Sequence, residues 1–408
     1  MRKTILKVLA TLLIVSLLLT NLSGYSKVKG INNESKIVNV SVDPRIELLY
    51  AVELLSNYPL LNHFDLQYKK EMLEHFSPFK SHPAVQKFKE MSDTDFSYDA
   101  PPTAMLYLSN PPELNNMIPF ENNYNQLIER AGGKENLEAF VDALRDFAVK
   151  TNFIDFFNAH KEFYAKIVGE VETELGNYKD ATILENFYGI SQNSYNIILT
   201  PLSGDNGYGP RIEIEPSKFD IYVIIECGDI RNNISPSLSG LLKHVVWHEF
   251  SHSFVNPITE KFIDEVNKYS KLFVPISKVM RKQAYGEWEI CVNEHIVRAV
   301  VAKLTEKFVS KEAAEEILSK EVRSGFVYIR GIYDIIGKYD KNRDKYPIFS
   351  DIYPEILDYF DKLSVNTPPI STEKTVFLRL ITIFIFIAIG LLIFLKIRKR
   401  KKIKKENS

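Results

Sequence analysis

Cysteine is almost absent from this sequence, since only Cys227 and Cys291 occur among its 408 residues. A disulfide-rich scaffold of the kind found in small secreted domains is therefore excluded. The two cysteines could form one disulfide or remain two small buried thiols, and the sequence leaves both alternatives open. In either case ordinary hydrophobic burial has to stabilise most of the fold.

Acidic residues outnumber basic residues in the middle of the chain. The formal net charge of −1 hides this, because 13 of the 51 basic residues but only 2 of the 52 acidic residues lie within residues 1–26 and 373–408. The segment between them keeps 38 basic and 50 acidic residues, a formal charge of −12. Nucleic-acid binding needs a basic surface, so we expect no nucleic acid among the partners.

Long apolar runs occur at the two ends of the chain. Residues 1–26 combine a basic start, an apolar run too short to span a bilayer and a small-residue end, which predicts a secretory signal peptide; an uncleaved anchor is the alternative. The apolar stretch 376–395 is long enough for one transmembrane helix. The basic segment 396–408 then reads as a cytoplasmic tail by the positive-inside rule. These features predict a single-pass cell-membrane protein whose extracellular ectodomain is joined to the membrane helix by a linker at 366–375.

One central segment has histidine and glutamate at a spacing that suits a metal site. His248-Glu249-x-x-His252 lies within an apolar pattern of helical period, and a helix places residues i and i+4 on one face. The two imidazoles could bind one Zn²⁺ ion, with Glu249 as general base on the attacking water. Asn256-Pro257 predicts the end of this helix. The alternative is an amphipathic helix whose histidines are merely packed.

A catalytic zinc site needs a third protein ligand and an open position for water. Residues 283–308 read as one helix, and its apolar stripe is interrupted by Glu294. Because a buried carboxylate is costly unless it is paired or bound to a metal, Glu294 is the predicted third ligand. Glu287, two turns earlier, is the alternative. Arg298 could orient the Glu294 carboxylate or simply form a buried ion pair with it.

Hydrolysis through a tetrahedral oxyanion needs a hydrogen-bond donor besides the metal. His295, Tyr328 and Tyr333 have suitable side chains and follow the motif. The sequence offers no way to choose among them, and packing alone would explain both tyrosines.

The motif and the later glutamate resemble the gluzincin group of zinc metallopeptidases. That resemblance implies a zincin-like fold in which His248, His252 and Glu294 bind zinc. It also implies that Glu249 is the catalytic base. Many gluzincins carry an acidic residue four positions after the third ligand, where this chain has Arg298.

A second resemblance is narrower. The run His-Glu-Phe-Ser-His-Ser-Phe-Val-Asn-Pro at 248–257, the segment 294–299 and the segment 43–49 are similar to a bacterial family known only as a domain of unknown function. The similarity covers roughly residues 36–362. It implies no known substrate.

The periodicity indicates an α+β fold that is mainly helical. Residues 27–186 read as a mainly helical region, with a short strand near 36–42 and a helix that starts at Asp43-Pro44. Residues 187–365 form the predicted zincin-like catalytic region, because three β-rich runs precede the motif helix at 195–200, 211–214 and 221–225.

These features together predict a membrane-anchored, extracytoplasmic zinc metallopeptidase acting on a peptide or protein. One alternative is a non-catalytic surface-anchored binding module, in which the metal is structural and His295 is a fourth ligand. A hydrolase acting on a non-peptide amide is another. The presence of Glu249 favours catalysis, because a structural metal site has no need of a general base.

Overall fold

The computed structural model describes residues 37–61, 66–121, 127–176, 180–202, 207–226 and 238–366. The chain divides into two compact units between Ser253 and Phe254, inside one continuous helix. The predicted signal peptide, the predicted linker after its first residue and the basic tail lie outside the described residues. The predicted boundary between residues 186 and 187 stays a prediction.

The first unit combines short helices with one sheet. Its helices are α1 (Pro44–Ser56), α2 (Gln67–Phe76), α3 (Pro83–Ser92), α4 (Ala100–Leu106), α5 (Leu127–Arg130), α6 (Lys134–Lys150), α7 (Phe153–Ala159), α8 (Lys161–Leu175) and α9 (Asp180–Tyr188). Its strands are β1 (Val38–Ser41), β2 (Ser194–Thr200), β3 (Gly207–Tyr208), β4 (Arg211–Glu215) and β5 (Lys218–Glu226).

Helix α1 is the central helix of the first core. The Asp43 side chain accepts a hydrogen bond from the backbone N–H of Arg45 at 2.8 Å, and Pro44 occupies the first helical position, where no N–H is needed. The predicted helix start is therefore confirmed. Every residue from Ile46 to Leu55 is buried, and α2, α3, α4 and α6 pack around the helix.

The sheet is small and mixed. Its order is β1-β2-β5-β3, and β4 also pairs with β5. Strands β1, β2 and β5 are parallel, whereas β3 and β4 run antiparallel to β5. This confirms the predicted small sheet just before the motif helix. Strand β1 was expected as a strand but not as a member of this sheet, because its parallel pairing with β2 spans more than 150 residues and leaves no local signal.

Helix α10 (Leu238–Lys261) carries the motif and continues past Pro257. The prediction that it ends at Asn256-Pro257 is wrong. A proline inside a helix costs about 3 kcal/mol. The apolar side chains on both sides of the proline are buried, and burying each contributes roughly 1.5–3 kcal/mol, which offsets that cost; they are Phe254, Val255 and Ile258.

The second unit is helical in its described residues. Its elements are α11 (Ile263–Asn267), α12 (Ser277–Arg281), α13 (Trp288–Phe308), α14 (Lys311–Arg323), α15 (Ile329–Lys341) and α16 (Tyr353–Asn366). Helix α13 is largely buried and packs against α14 and α15.

Helix α13 starts later than the sequence predicted. Ala284 adopts a left-handed backbone conformation (φ 68°), and Glu287 is an extended N-cap residue. The helix therefore begins at Trp288 and not near residue 283, since the left-handed residue interrupts the ladder of hydrogen bonds. Ile290, which was expected on the buried stripe, is 40% exposed.

The fold class needs one correction. Among the described residues, no helix is both long enough and apolar enough to cross a bilayer, and the segment expected to do so, 376–395, lies outside them. This finding contradicts the predicted transmembrane helix and, with it, the predicted single-pass localisation. The fold class is corrected to a mainly helical α+β fold with a small mixed sheet.

Candidate metal centre

Two histidines of α10 come together at the spacing of metal ligands. The Nε2 atoms of His248 and His252 lie 3.2 Å apart, and their rings are nearly perpendicular. Two ligands held at 2.0–2.1 Å by a tetrahedral zinc ion would lie about 3.3 Å apart. The spacing suits a shared ion, and it also suits a direct hydrogen bond between the rings.

Glu294 joins the two histidines in one group. Each of the three residues offers a ligand atom, and these atoms all lie within 4.8 Å of one another. Glu294 is 6% exposed. The other candidate, Glu287, is an exposed residue outside this group. Two imidazoles and one carboxylate are a ligand set of catalytic zinc sites, so the residues present fit the ion.

Glu249 lies against the backbone that leads from β3 into β4. A Cβ atom on Gly207 would lie 3.2 Å from Oε1 of Glu249, and one on Gly209 would lie 3.0 Å from Oε2 and 2.6 Å from the main-chain oxygen of Glu249. Only glycine permits such a close approach at residue 209. In the sequence, this segment lies between the predicted strands at 195–200 and 211–214. The alternation Gly207-Tyr208-Gly209 at the edge of a sheet was the available signal.

Arg298 contacts Glu294 directly. Its Nε donates to Oε2 of Glu294 at 3.1 Å, and its Nη1 donates to Oε1 of Glu321 at 3.0 Å. Burial alone would lower the pKa of Arg298, but the charges of the two carboxylates raise it, so the guanidinium is cationic. This geometry is compatible with both predictions for Arg298, that it orients the Glu294 carboxylate and that it forms a buried ion pair with it. Glu321 was missed, because its helix shows only an amphipathic pattern.

His295 and Tyr328 are engaged in other contacts. The Nδ1–H of His295 donates to the carbonyl of Cys291 at 2.6 Å, and the ring packs against Phe326 and Tyr328. Burial lowers the pKa of His295 to about 4, so the ring is neutral near pH 7 and its Nε2 carries no proton to donate. The Tyr328 hydroxyl donates to the carbonyl of Leu272 at 2.7 Å.

The ring of Tyr333, another predicted donor, lies 3.7 Å from the Nζ of Lys303, measured to the ring centroid. Cys291 has no disulfide partner among the described residues, and burial raises the pKa of its thiol to about 12. Cys227 lies outside the described residues, so the two alternatives for the cysteines, a disulfide or two buried thiols, stay predictions.

A buried hydrogen bond connects the middle of α10 to α9. The indole N–H of Trp247 donates to Oδ1 of Asp180 at 2.7 Å. Asp180 is the first residue of α9, so this bond ties α9 to the residue immediately before His248. Burial raises the pKa of Asp180, and the bond from Trp247 opposes this rise.

Residues 38–359 match the model of a family described as a domain of unknown function, DUF4932. The chain belongs to the DUF4932 family. The predicted similarity to a domain-of-unknown-function family is thereby confirmed. The match covers all of the predicted site residues. No curated protein and no solved structure matches the chain.

Proposed function

We propose that this DUF4932 protein is a zinc-dependent metallopeptidase. The observation that carries the proposal is the group of ligand atoms from His248, His252 and Glu294, all within 4.8 Å of one another. Imidazole and carboxylate ligands suit zinc among the common divalent ions. A general base, Glu249, directly follows the first histidine on the same helix. The expected substrate is a peptide or protein.

The residues of the chain have distinct tasks in this reaction. A zinc ion in this group would polarise the substrate carbonyl and lower the pKa of a water molecule to about 7. Glu249 accepts a proton from the attacking water and returns it to the leaving amine. The glycine segment 207–209 lies against the Glu249 carboxylate and restricts its movement. This packing limits the positions that the carboxylate of the proposed base can adopt.

A purely structural metal is the competing function, and it needs a fourth protein ligand. The residue expected to supply it, His295, is not part of the group formed by the three ligands. A group of three protein ligands leaves a position for water, which favours the catalytic proposal.

The test combines metal content with peptide hydrolysis in the full-length protein. After zinc has been supplied and excess removed, the wild type should hold about one zinc per chain, and His248→Ala should hold none. Glu249→Gln should keep its zinc but lose at least about 10²-fold of the hydrolysis rate on a fluorogenic peptide mixture.

Glu260→Gln is the matched control, because it makes the same chemical change on the same helix. It should leave both zinc content and hydrolysis unchanged. A wild type that binds no zinc would overturn the proposed site. A zinc-loaded Glu249→Gln protein as active as the wild type would overturn the assigned base.

A further inference from the structure

Arg298 links the proposed third ligand to a second buried carboxylate. Glu294 and Arg298 share α13, whereas Glu321 comes from α14. The guanidinium donates to both carboxylates, at 3.1 Å and 3.0 Å. Glu294 and Glu321 are each only 6% exposed. One cation therefore bridges two buried anions on two helices, and one of these anions belongs to the group of metal ligands.

The guanidinium is held from several directions. Besides the two carboxylates, its Nη2 donates to the Tyr285 hydroxyl at 3.1 Å. Its central carbon lies 4.2 Å from the ring centroid of Phe326. A planar guanidinium fixed in this way cannot easily rotate. The hydrogen bond to Oε2 therefore fixes the terminal torsion of Glu294, which in a glutamate otherwise has a broad range.

The charges explain why a second carboxylate is useful here. A Glu294–Arg298 pair alone would be electrically neutral, and the guanidinium would compete with a metal ion for the electrons of the ligand. With Glu321 included, the formal charges of the three side chains sum to −1. A divalent cation beside Glu294 then interacts with a net negative group, which is favourable in a partly buried site.

We propose that Glu321 is a positioning residue of the metal centre, which acts through Arg298 to orient Glu294 and to preserve its strength as a ligand. This inference rests on the zinc site of the proposed function and extends it to α14. Groups that hydrogen-bond to metal ligands typically change metal affinity by about 10- to 100-fold when they are removed. Glu321 contacts Arg298 and not the ligand itself, so its effect on Glu294 is exerted through the Arg298 guanidinium.

The test compares two variants on the same helix of the full-length protein. Glu321→Gln removes the charge that faces Arg298. Glu315→Gln is the matched control, because Glu315 also lies on α14 and also bonds an arginine, Arg330, but is exposed. The zinc dissociation constant is measured by competition with a chelating dye, and the visible spectrum of the Co²⁺-loaded protein reports the geometry of the ligands. Thermal unfolding without metal reports the stability of the fold.

Glu321→Gln should weaken zinc binding by about 10-fold or more and alter the Co²⁺ spectrum, while its metal-free unfolding midpoint stays near that of the wild type. Glu315→Gln should bind zinc like the wild type. A purely structural role for Glu321 would lower the metal-free midpoint and leave the affinity of the folded protein unchanged. Arg298→Lys keeps the charge but cannot bridge both carboxylates, so it should also weaken zinc binding.

Equal zinc affinity in Glu321→Gln and the wild type would overturn the inference and leave the proposed function standing. Equal weakening in Glu321→Gln and Glu315→Gln would also overturn it, because the effect would then be one of overall charge. If Glu321→Gln does not fold, the zinc affinity of Arg298→Lys tests the inference instead. An affinity equal to that of the wild type would then contradict the inference. A wild type that binds no zinc would instead overturn the proposed function, and the inference with it.

Discussion

At the scale of single residues, the two glycines beside Glu249 leave little space for a Cβ atom. Gly209 approaches the main chain of Glu249, and Gly207 approaches its carboxylate. Main-chain atoms inside α10 cannot move aside without disturbing the helix that carries both histidines. The absence of a Cβ atom at residue 209 is therefore a requirement of the site and not a feature of a flexible turn.

Gly209→Ala should destabilise the protein by about 1–3 kcal/mol, the usual cost of forcing an atom into a packed region. The new methyl group would lie 2.6 Å from the carbonyl oxygen of Glu249, so peptide hydrolysis should fall as well. Urea unfolding and the hydrolysis rate measure the two effects. Gly169→Ala is the control, because its Cβ would meet no atom within 4 Å; equal stability in the two variants would contradict the prediction.

Much of the candidate metal centre could be predicted because its signal is local. His248 and His252 lie four residues apart, and helical geometry alone brings them together. Glu294 was found because a carboxylate interrupts an apolar stripe, and it does join the histidines. Glu321 could not be found in this way. Its partner, Arg298, lies on another helix, and no periodicity reveals which buried residues meet across two helices.

At the scale of elements, a buried hydrogen bond ties the middle of α10 to α9. The acceptor is Asp180, and the donor is the indole of Trp247. A buried N–H group without an acceptor costs about 1–3 kcal/mol. The bond therefore stabilises the position of α10 just before the first histidine of the motif.

Asp180→Ala should lower the free energy of unfolding by about 1–3 kcal/mol, because it leaves the Trp247 indole unsatisfied. Asp180→Asn keeps an oxygen at the same place and should cost less than about 1 kcal/mol. Urea unfolding followed by tryptophan fluorescence separates the two variants. If they are equally stable, the hydrogen bond does not anchor α10.

Element boundaries show where local rules apply and where they fail. Asp43-Pro44 marks the start of α1 because its capping chemistry is complete within three residues. Pro257 does not end α10, since the burial of Phe254 and Ile258 outweighs the lost hydrogen bond. The break before Trp288 depends on the left-handed backbone of Ala284, which an alanine in the sequence does not indicate.

At the scale of the whole molecule, some exposed and some buried carboxyl groups have pKa values shifted in opposite directions. Exposed carboxylates such as Glu121 and Glu315 have pKa values lowered by hydrogen bonds to a cation, and such surface pairs contribute little to stability. In α1, burial raises the pKa of Glu47 to about 7 and that of Glu53 well above its usual value. The buried carboxyl groups should therefore govern how the stability of the first unit depends on pH.

The pH dependence can be tested at Glu47, which is completely buried and whose Oε2 accepts a hydrogen bond from the Tyr68 hydroxyl at 2.6 Å. The folded protein keeps the proton of Glu47 up to about pH 7, whereas the unfolded chain releases it near the ordinary value of 4.5. The stabilisation is thus complete below pH 4.5 and is lost as the pH rises through about 7, an effect of up to about 3 kcal/mol.

Glu47→Gln removes this ionisation, and its amide oxygen can still accept the hydrogen bond from Tyr68. The wild type should lose stability between pH 5 and pH 8, and the variant should lose clearly less. Hydrogen exchange of the peptide that covers α1, measured across this pH range, reports the stability of the first unit directly. Glu162→Gln, at an exposed position of α8, should lose as much stability between pH 5 and pH 8 as the wild type. If Glu47→Gln loses as much stability as the wild type over this range, Glu47 does not hold its proton in the folded protein. The pH dependence would then have to arise from Glu53 or Asp180.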